Sequence, residues 1–202
     1  MSELGRDDVE LIAKETLFKG YFQIDRYRLR HRAFAGGWSA EVVREVFERG
    51  HAVAVLLYDP IRDEVALIEQ FRVGAFAAGW NPWLIEVVAG IIEEGEDMDD
   101  VARREVTEEA GCTVLDLVTI ADVIVSPGAV SETVRLYCAR VDSSVISGIH
   151  GLESEGEDIR VFTIAADDAI AMTKDGRINN SVAMISLLWL ASERENLKRR
   201  WA

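Results

Sequence analysis

Residues 90–112 read GIIEEGEDMDDVARREVTEEAGC, and their nine carboxylates face only two arginines, Arg103 and Arg104. The spacing predicts a helix from about Met98 to Ala110. Asp97, Asp99 and Asp100 crowd its first turn, where negative charge opposes the macrodipole, and Gly111 stops it. At about 100° per residue, Glu105, Glu108 and Glu109 fall within an arc of about 100°. Ala102, Val106 and Ala110 form an apolar stripe beside that arc and dock the helix on a sheet. Glu109 is thereby expected to face solvent. Like charges one turn apart cost roughly 0.2–0.5 kcal/mol each, so charge alone is compatible with an inert, solvated acidic face. A hard divalent cation such as Mg²⁺ gives the cluster a second meaning, because it takes carboxylate oxygens and waters and bridges to substrate phosphates.

Outward from this helix the chain alternates between strands and helices. WLIEVVAG, just upstream, reads as one strand ending at Gly90. Before it, HAVAVLLYD and EVALIEQFR flank Pro60 as a β-hairpin. Val9–Leu17 and Tyr21–His31 read as two more strands with Gly20 between them. SAEVVREVFER suits a helix through Ala40, Val43 and Phe47 and a strand through its β-branched content. A strand is preferred, giving a three-stranded N-terminal sheet. Downstream, TVLDLVTIADVIVS, SETVRLYCARV and DIRVFTI read as strands, and two helices close the chain, at about 167–174 and 181–198. Strands and helices without strict βαβ spacing point to an α+β or α/β sandwich.

Composition limits what such a fold can do. Nearly half of the 202 residues are apolar (49%), enough for a real core, and the net charge is −14. Residues 1–50 hold nine acids and nine bases, so the acidic excess lies beyond them. An acidic surface repels polyphosphate backbones, which argues against nucleic acid as a partner. A small anionic substrate stays open where arginines or bound cations invert the local field. Cys112 and Cys138 show no metal-ligand spacing and are expected to be reduced. His51 and His150 are expected to be ordinary hydrogen-bonded histidines. The N-terminus lacks the apolar stretch of a signal peptide, and no run approaches a membrane span, so a cytoplasmic, non-membrane protein is expected.

Gly90, five residues, Glu96, seven residues, then Arg104-Glu105-Val106-Thr107-Glu108-Glu109-Ala110-Gly111-Cys112 resembles the Nudix hydrolase box. The one departure is Cys112, where the box has an aliphatic residue; a buried cysteine is a small hydrophobe. The resemblance implies a Nudix fold, an α/β/α sandwich with a mixed sheet, in residues 51–202. It also implies an N-terminal antiparallel β-sheet domain over residues 1–50, used for dimerisation and substrate binding. The implied reaction is metal-assisted attack of water on phosphorus.

Beyond the box, ETLFKGYFQIDRYRLRHR, VREVFERG, LIEQFR, SPG and GIHGLESEGEDIRV look like the bacterial ADP-ribose pyrophosphatases. Pro127, sixteen residues past Gly111, matches the proline of that subgroup; Ala129 stands where a second glycine is usual. Carried over by position, the metal ligands are Glu105, Glu109, the carbonyl of Ala89 and Glu157, with Arg104 orienting the carboxylates. Glu155 matches the general base, in a loop that can close over seated substrate, and Glu132 is its rival and a substrate contact. Arg72, Ile91 and Ser126 match substrate contacts. Tyr21, Phe22, Arg44, Glu45 and Arg49 match residues that bind the adenosine end from the other subunit of a homodimer with exchanged N-terminal domains.

The expected activity is therefore Mg²⁺-dependent (or Mn²⁺- or other divalent-cation-dependent) cleavage of ADP-ribose to AMP and ribose 5-phosphate. A broader nucleoside-diphosphate-sugar pyrophosphatase, for example on GDP-mannose, is the same-class alternative. A non-catalytic nucleotide sensor is the other, and it is disfavoured because Glu105 and Glu109 are both present. A Ca²⁺-binding loop fails, because DMDDVARREVTEE has no turn glycine.

Overall fold

The run HAVAVLLYD has no polar face because both of its faces are covered. In the computed structural model, which describes residues 4–152 and 156–202, it forms β4 (His51–Asp59). Ala52, Ala54, Leu56 and Tyr58 point into one apolar cluster, and Val53, Val55 and Leu57 into another. A strand buried on both sides loses the alternation of a half-exposed one and reads as continuous hydrophobic sequence.

Around β4 lie β5 (Glu64–Phe71), α1 (Val73–Ala77), β6 (Trp83–Glu86), β7 (Val88–Ile92), α2 (Met98–Ala110) and β8 (Asp116–Ile124). Then come β9 (Thr133–Arg140), β10 (Gly148–His150), β11 (Ile159–Ala165), α3 (Ala166–Asp175) and α4 (Ser181–Arg200). The sheet runs β10-β11-β5-β4-β9-β8, with β6 on β5 and β7 on β4. It is mixed: β4 is parallel to β9 and antiparallel to β5 and β7. On one face, α2 packs Val101, Ala102, Val106 and Ala110 against Val53, Val55 and Leu57. On the other, α3 and α4 pack Ala169, Met172, Ala183, Leu187 and Leu190 against Leu56, Tyr58 and Leu136. The expected α/β/α sandwich is what these contacts build.

The stretch expected to be one strand, WLIEVVAG, is two. Residues 83–86 pair with β5 (Ile68↔Glu86 to Phe71↔Trp83), and residues 88–92 pair with β4 (His51↔Ile92 to Val55↔Val88). β4 meets β5 only at Leu57–Asp59. The two strands therefore diverge, and the wedge that fills the gap changes partner at Val87. This change seats Ala89 and Gly90 in mid-sheet under α2.

The hairpin turn and the end of α4 are tied by charge. Asp59 is buried and accepts from the N–H of Ile61 (2.8 Å) and from both N–H and Oγ of Ser143 (3.0 Å each). Burial alone would raise its carboxyl, but these bonds and those from the Arg62 N–H (3.1 Å) and guanidinium (3.0 Å) hold it down at about 2. Asp63, in the left-handed region at φ 59°, pairs with Arg194 and Lys198 and accepts from Tyr58 Oη (2.8 Å).

Residues Met1–Gly50 with Ile124–Glu132 form a separate compact unit. The stretch Ile124–Glu132 clusters with the N-terminal residues in this smaller unit. Its sheet has the order β1 (Val9–Lys19), β2 (Gln23–His31), β3 (Val42–Glu48), antiparallel throughout. SAEVVREVFER is thus a strand. The balanced charge of the first quarter is spent on pairs across the strands: Arg30–Glu10 (2.6 Å), Arg28–Glu41 (2.6 Å) and Arg26–Glu45 (3.1 Å). β1 leaves Val9, Leu11, Ile12, Leu17 and Phe18 exposed.

Candidate functional site

The acidic helix is capped as its sequence requires. Asp97 accepts from the N–H groups of Asp99 (2.9 Å) and Asp100 (3.3 Å), and Gly111 ends the helix at φ 61°. Tyr137 Oη donates to Asp99 (2.6 Å), fixing the first turn to β9. A helix anchored at both ends and along Ala102, Val106 and Ala110 holds its glutamates in set positions.

Those positions are not equivalent. Glu109, expected on the solvent side, is 2% exposed. It lies seven residues after Ala102, two turns along the helix, and so returns to the buried face. Its Oε2 accepts the N–H of Ala89 (3.0 Å). Burial pushes the carboxyl up to about 8, the Ala89 bond opposes that, and the charges of Glu105 and Glu157 add to it. Glu105 lies against Gly90: a Cβ on that glycine would sit 2.0 Å from the Glu105 Cδ. Arg104 stands 2.8 Å from Glu105, 3.3 Å from Glu108 and 3.6 Å from Glu96. A single guanidinium thus spans three of the box glutamates.

Arg72, at the end of β5, donates to Glu86 (2.7 Å), and Gln70 reaches the same carboxylate at 3.4 Å. The sequence reading did not single out Glu86; its signal is a lone acid inside the apolar run WLIEVV. Ile91, the residue after Gly90, is exposed on β7. Glu157 turns its carboxylate to the N–H of Leu152 (3.1 Å). Glu155 lies outside the described residues. Among the described residues, no three His, Cys, Asp or Glu side chains converge as a ready-made chelate. Two carboxylates, one of them desolvated beside the charge of the other, with the Ala89 backbone next to them, still suit Mg²⁺. That ion binds through one or two carboxylates, waters and substrate phosphates.

The other predicted residues lie in the smaller unit. The SPGAVSE segment turns through bonds from the N–H groups of Ala129 (3.2 Å) and Val130 (2.9 Å) to the Ser126 carbonyl, and Ser126 itself is exposed. It then runs beside β3: Phe47 N–H donates to Ala129 O (2.8 Å) and Ser131 N–H to Phe47 O (3.2 Å). Glu132 is 9% exposed and 3.3 Å from Arg49, whose guanidinium lies 5.7 Å from the ring of Phe22. Phe22 packs edge-on against Phe47 (5.0 Å) and Tyr21 (4.7 Å), and Tyr21 is 87% exposed. Arg49, Glu132 and Phe22 are therefore brought together, with Tyr21 at their margin. Arg44 bonds the carbonyl of Val43 (2.8 Å), and Glu45 pairs with Arg26, so neither joins them.

Both cysteines are free and buried, and burial raises both thiols, that of Cys112 to about 11, which removes them as nucleophiles. His51 meets Thr133 Oγ1 at 2.7 Å and His150 the Ser147 carbonyl at 3.0 Å, as expected of structural histidines.

Comparison with known proteins agrees with this geometry. Residues 48–179 match the NUDIX domain family. The chain is 49% identical over 198 residues to the ADP-ribose pyrophosphatase of Escherichia coli (strain K12), covering 98% of this chain and 95% of the relative. It is 41% identical to the ADP-ribose pyrophosphatase of Haemophilus influenzae, covering 100% and 95%. A GDP-mannose pyrophosphatase of Yersinia enterocolitica is 32% identical over 89% of this chain and 93% of the relative. A crystal structure described as an ADP compounds hydrolase superimposes with a TM-score of 0.74 over 95% of this chain and 97% of the other, at 19% identity, a likeness of fold. With a family match over well over half its length and relatives of this identity, the chain belongs to the Nudix hydrolase family.

Proposed function

We propose that the chain hydrolyses the pyrophosphate bond of ADP-ribose, giving AMP and ribose 5-phosphate, with Mg²⁺ or a similar divalent cation. One observation carries this reading. The chain is 49% identical over nearly its whole length to an enzyme of that name, and its Glu105, Glu109, Ala89 and Gly90 are packed around one another. The bound cation would neutralise diphosphate charge and acidify a water molecule. Glu105, Glu109 and the Ala89 carbonyl would hold it, joined by Glu157. Arg104 keeps the Glu105 carboxylate aimed by pairing with it at 2.8 Å. Arg72, once released from Glu86, presents a guanidinium fork suited to phosphate oxygens. Glu155 takes the proton of the attacking water, with Glu132 as the alternative base. Phe22 and Tyr21 offer aromatic surface to adenine, and Arg44, Glu45, Arg49, Ile91 and Ser126 offer contacts to the remaining polar groups.

Two further properties belong to the reading. A homodimer with exchanged N-terminal domains is supported by the exposed Val9, Leu11, Ile12, Leu17 and Phe18 of β1, apolar side chains that a monomer leaves wet. A cytoplasmic location is the second; among the described residues no helix is long and apolar enough to cross a membrane. The GDP-mannose relative favours a second substrate class. A competition assay separates them. Full-length protein with Mg²⁺ and equimolar ADP-ribose and GDP-mannose is expected to consume ADP-ribose first, releasing AMP. Loss of GDP-mannose with ADP-ribose intact would overturn the assignment.

A further inference from the structure

In the smaller unit, a chain of polar contacts leads from a fully enclosed carboxylate to the segment that carries Glu132. Asp25 has no solvent exposure and accepts from Thr16 Oγ1 (2.7 Å), Gln23 Nε2 (2.9 Å) and Lys14 Nζ (2.9 Å). Lys14 also reaches Glu48 at 3.9 Å. Glu48, the last residue of β3, accepts on Oε1 from Tyr27 Oη (2.8 Å) and on Oε2 from Ser131 Oγ. Lys14 and Tyr27 thus fix the Glu48 carboxylate, and Glu48 fixes Ser131.

The next residue on each strand repeats the pairing: Arg49 follows Glu48, Glu132 follows Ser131, and these two meet at 3.3 Å. Successive side chains of extended backbone point to opposite faces. The Glu48–Ser131 bond therefore clamps one face of the strand pair while Glu132–Arg49 is presented on the other. Two backbone bonds at Phe47 set how far the segment slides along β3, but neither bonds the Ser131–Glu132 pair beyond the Ser131 N–H. Among the described residues the buried Arg49 Nε has no hydrogen-bond partner, and the guanidinium meets Glu132 and the Phe22 ring.

We propose that Ser131 and Glu48 are positioning residues for the hydrolysis, fixing where Glu132 sits. This rests on the reading that Glu132 touches the substrate or its attacking water. The test is steady-state ADP-ribose hydrolysis with Mg²⁺ by full-length Ser131→Ala, Ser131→Thr, Glu48→Gln, Glu132→Gln and the Ser131→Ala/Glu132→Gln double variant. Ser131→Ala is expected to lower kcat about tenfold, with KM within about twofold and an unchanged far-UV spectrum. Ser131→Thr, which keeps the hydroxyl, is expected to restore most of that loss, and Glu48→Gln to act in the same direction as Ser131→Ala. In the Glu132→Gln background Ser131→Ala is expected to add nothing, an outcome that a general loosening of the unit does not produce. The positioning role is overturned if Glu132→Gln is impaired while Ser131→Ala is not, or if the two losses multiply. If Glu132→Gln itself is normal, the role given to Glu132 fails, separately from the proposed reaction, which wild-type turnover reports.

Discussion

Replacing Glu109 by glutamine tests burial and catalysis together. The side chain is 2% exposed, and its carboxyl is raised from an ordinary 4.5 to about 8, chiefly by that burial. Between those two values the folded chain holds a proton that the unfolded chain has released, so stability falls as pH rises through this window. The slope is about 1.4 kcal/mol per pH unit, and the loss accumulated by pH 7 is about 3 kcal/mol. Glutamine has the shape of the protonated acid, can still accept the Ala89 N–H, and has no proton to lose. In chelator-treated protein, urea denaturation is therefore expected to give equal stabilities near pH 4 to 5. By pH 7 the variant should be ahead by about 3 kcal/mol. Adding Mg²⁺ should raise the midpoint of the wild type and not of the variant, because only the native wild type gains a ligand. Hydrolysis should fall at least about a hundredfold, since even residues that only support metal ligands cost ten to a hundredfold when changed. A variant less stable than the wild type at pH 7, or one with near-normal turnover, would overturn this role of Glu109.

Other outcomes follow from the same geometry. Gly90→Ala places a Cβ where the Glu105 carboxylate lies and is expected to keep the fold by circular dichroism while lowering turnover at least about tenfold. Asp59→Asn is expected to cost about 1–2 kcal/mol at pH 7 and almost nothing near pH 2. The sign follows because a carboxyl held at about 2 stabilises only above its unfolded value and loses that contribution as pH falls through the folded one; urea melts at both pH values check it. Leu11→Asp with Phe18→Asp charges exposed apolar positions on both faces of β1 and is expected to convert a dimer to monomers by sedimentation. Glu155→Gln is expected to lower kcat with little change in KM, and a comparable loss in Glu132→Gln alone would move the base role to Glu132.

How much of this was legible in the sequence depended on how local each signal was. α2 could be read closely because its end signals, the acidic first turn at Asp97, Asp99 and Asp100 and the stop at Gly111, act within a turn of the helix ends. The burial of Glu109 was missed because it was read by its charge; its phase, seven residues from Ala102, placed it on the docked face. The change of partner at Val87 depends on how far β4 and β5 diverge, which no local pattern encodes. Gly148–His150 is too short to show alternation, and Val73–Ala77 is a single turn of apolar residues, so both elements escaped. The sequence pattern assigns Ser126 and Ser131–Glu132 to the flanking strands, yet the SPGAVSE segment is bonded to Phe47 some eighty residues upstream, a pairing that sequence spacing does not announce.

In the proposed site, α2 and the strand beneath it hold a divalent cation between Glu105 and Glu109. Mn²⁺ binding followed by electron paramagnetic resonance, on wild type and on Glu105→Gln/Glu109→Gln, tests it without reference to turnover. The double variant is expected to lose at least one bound ion while remaining folded. Equal stoichiometry and affinity in the two proteins would contradict it.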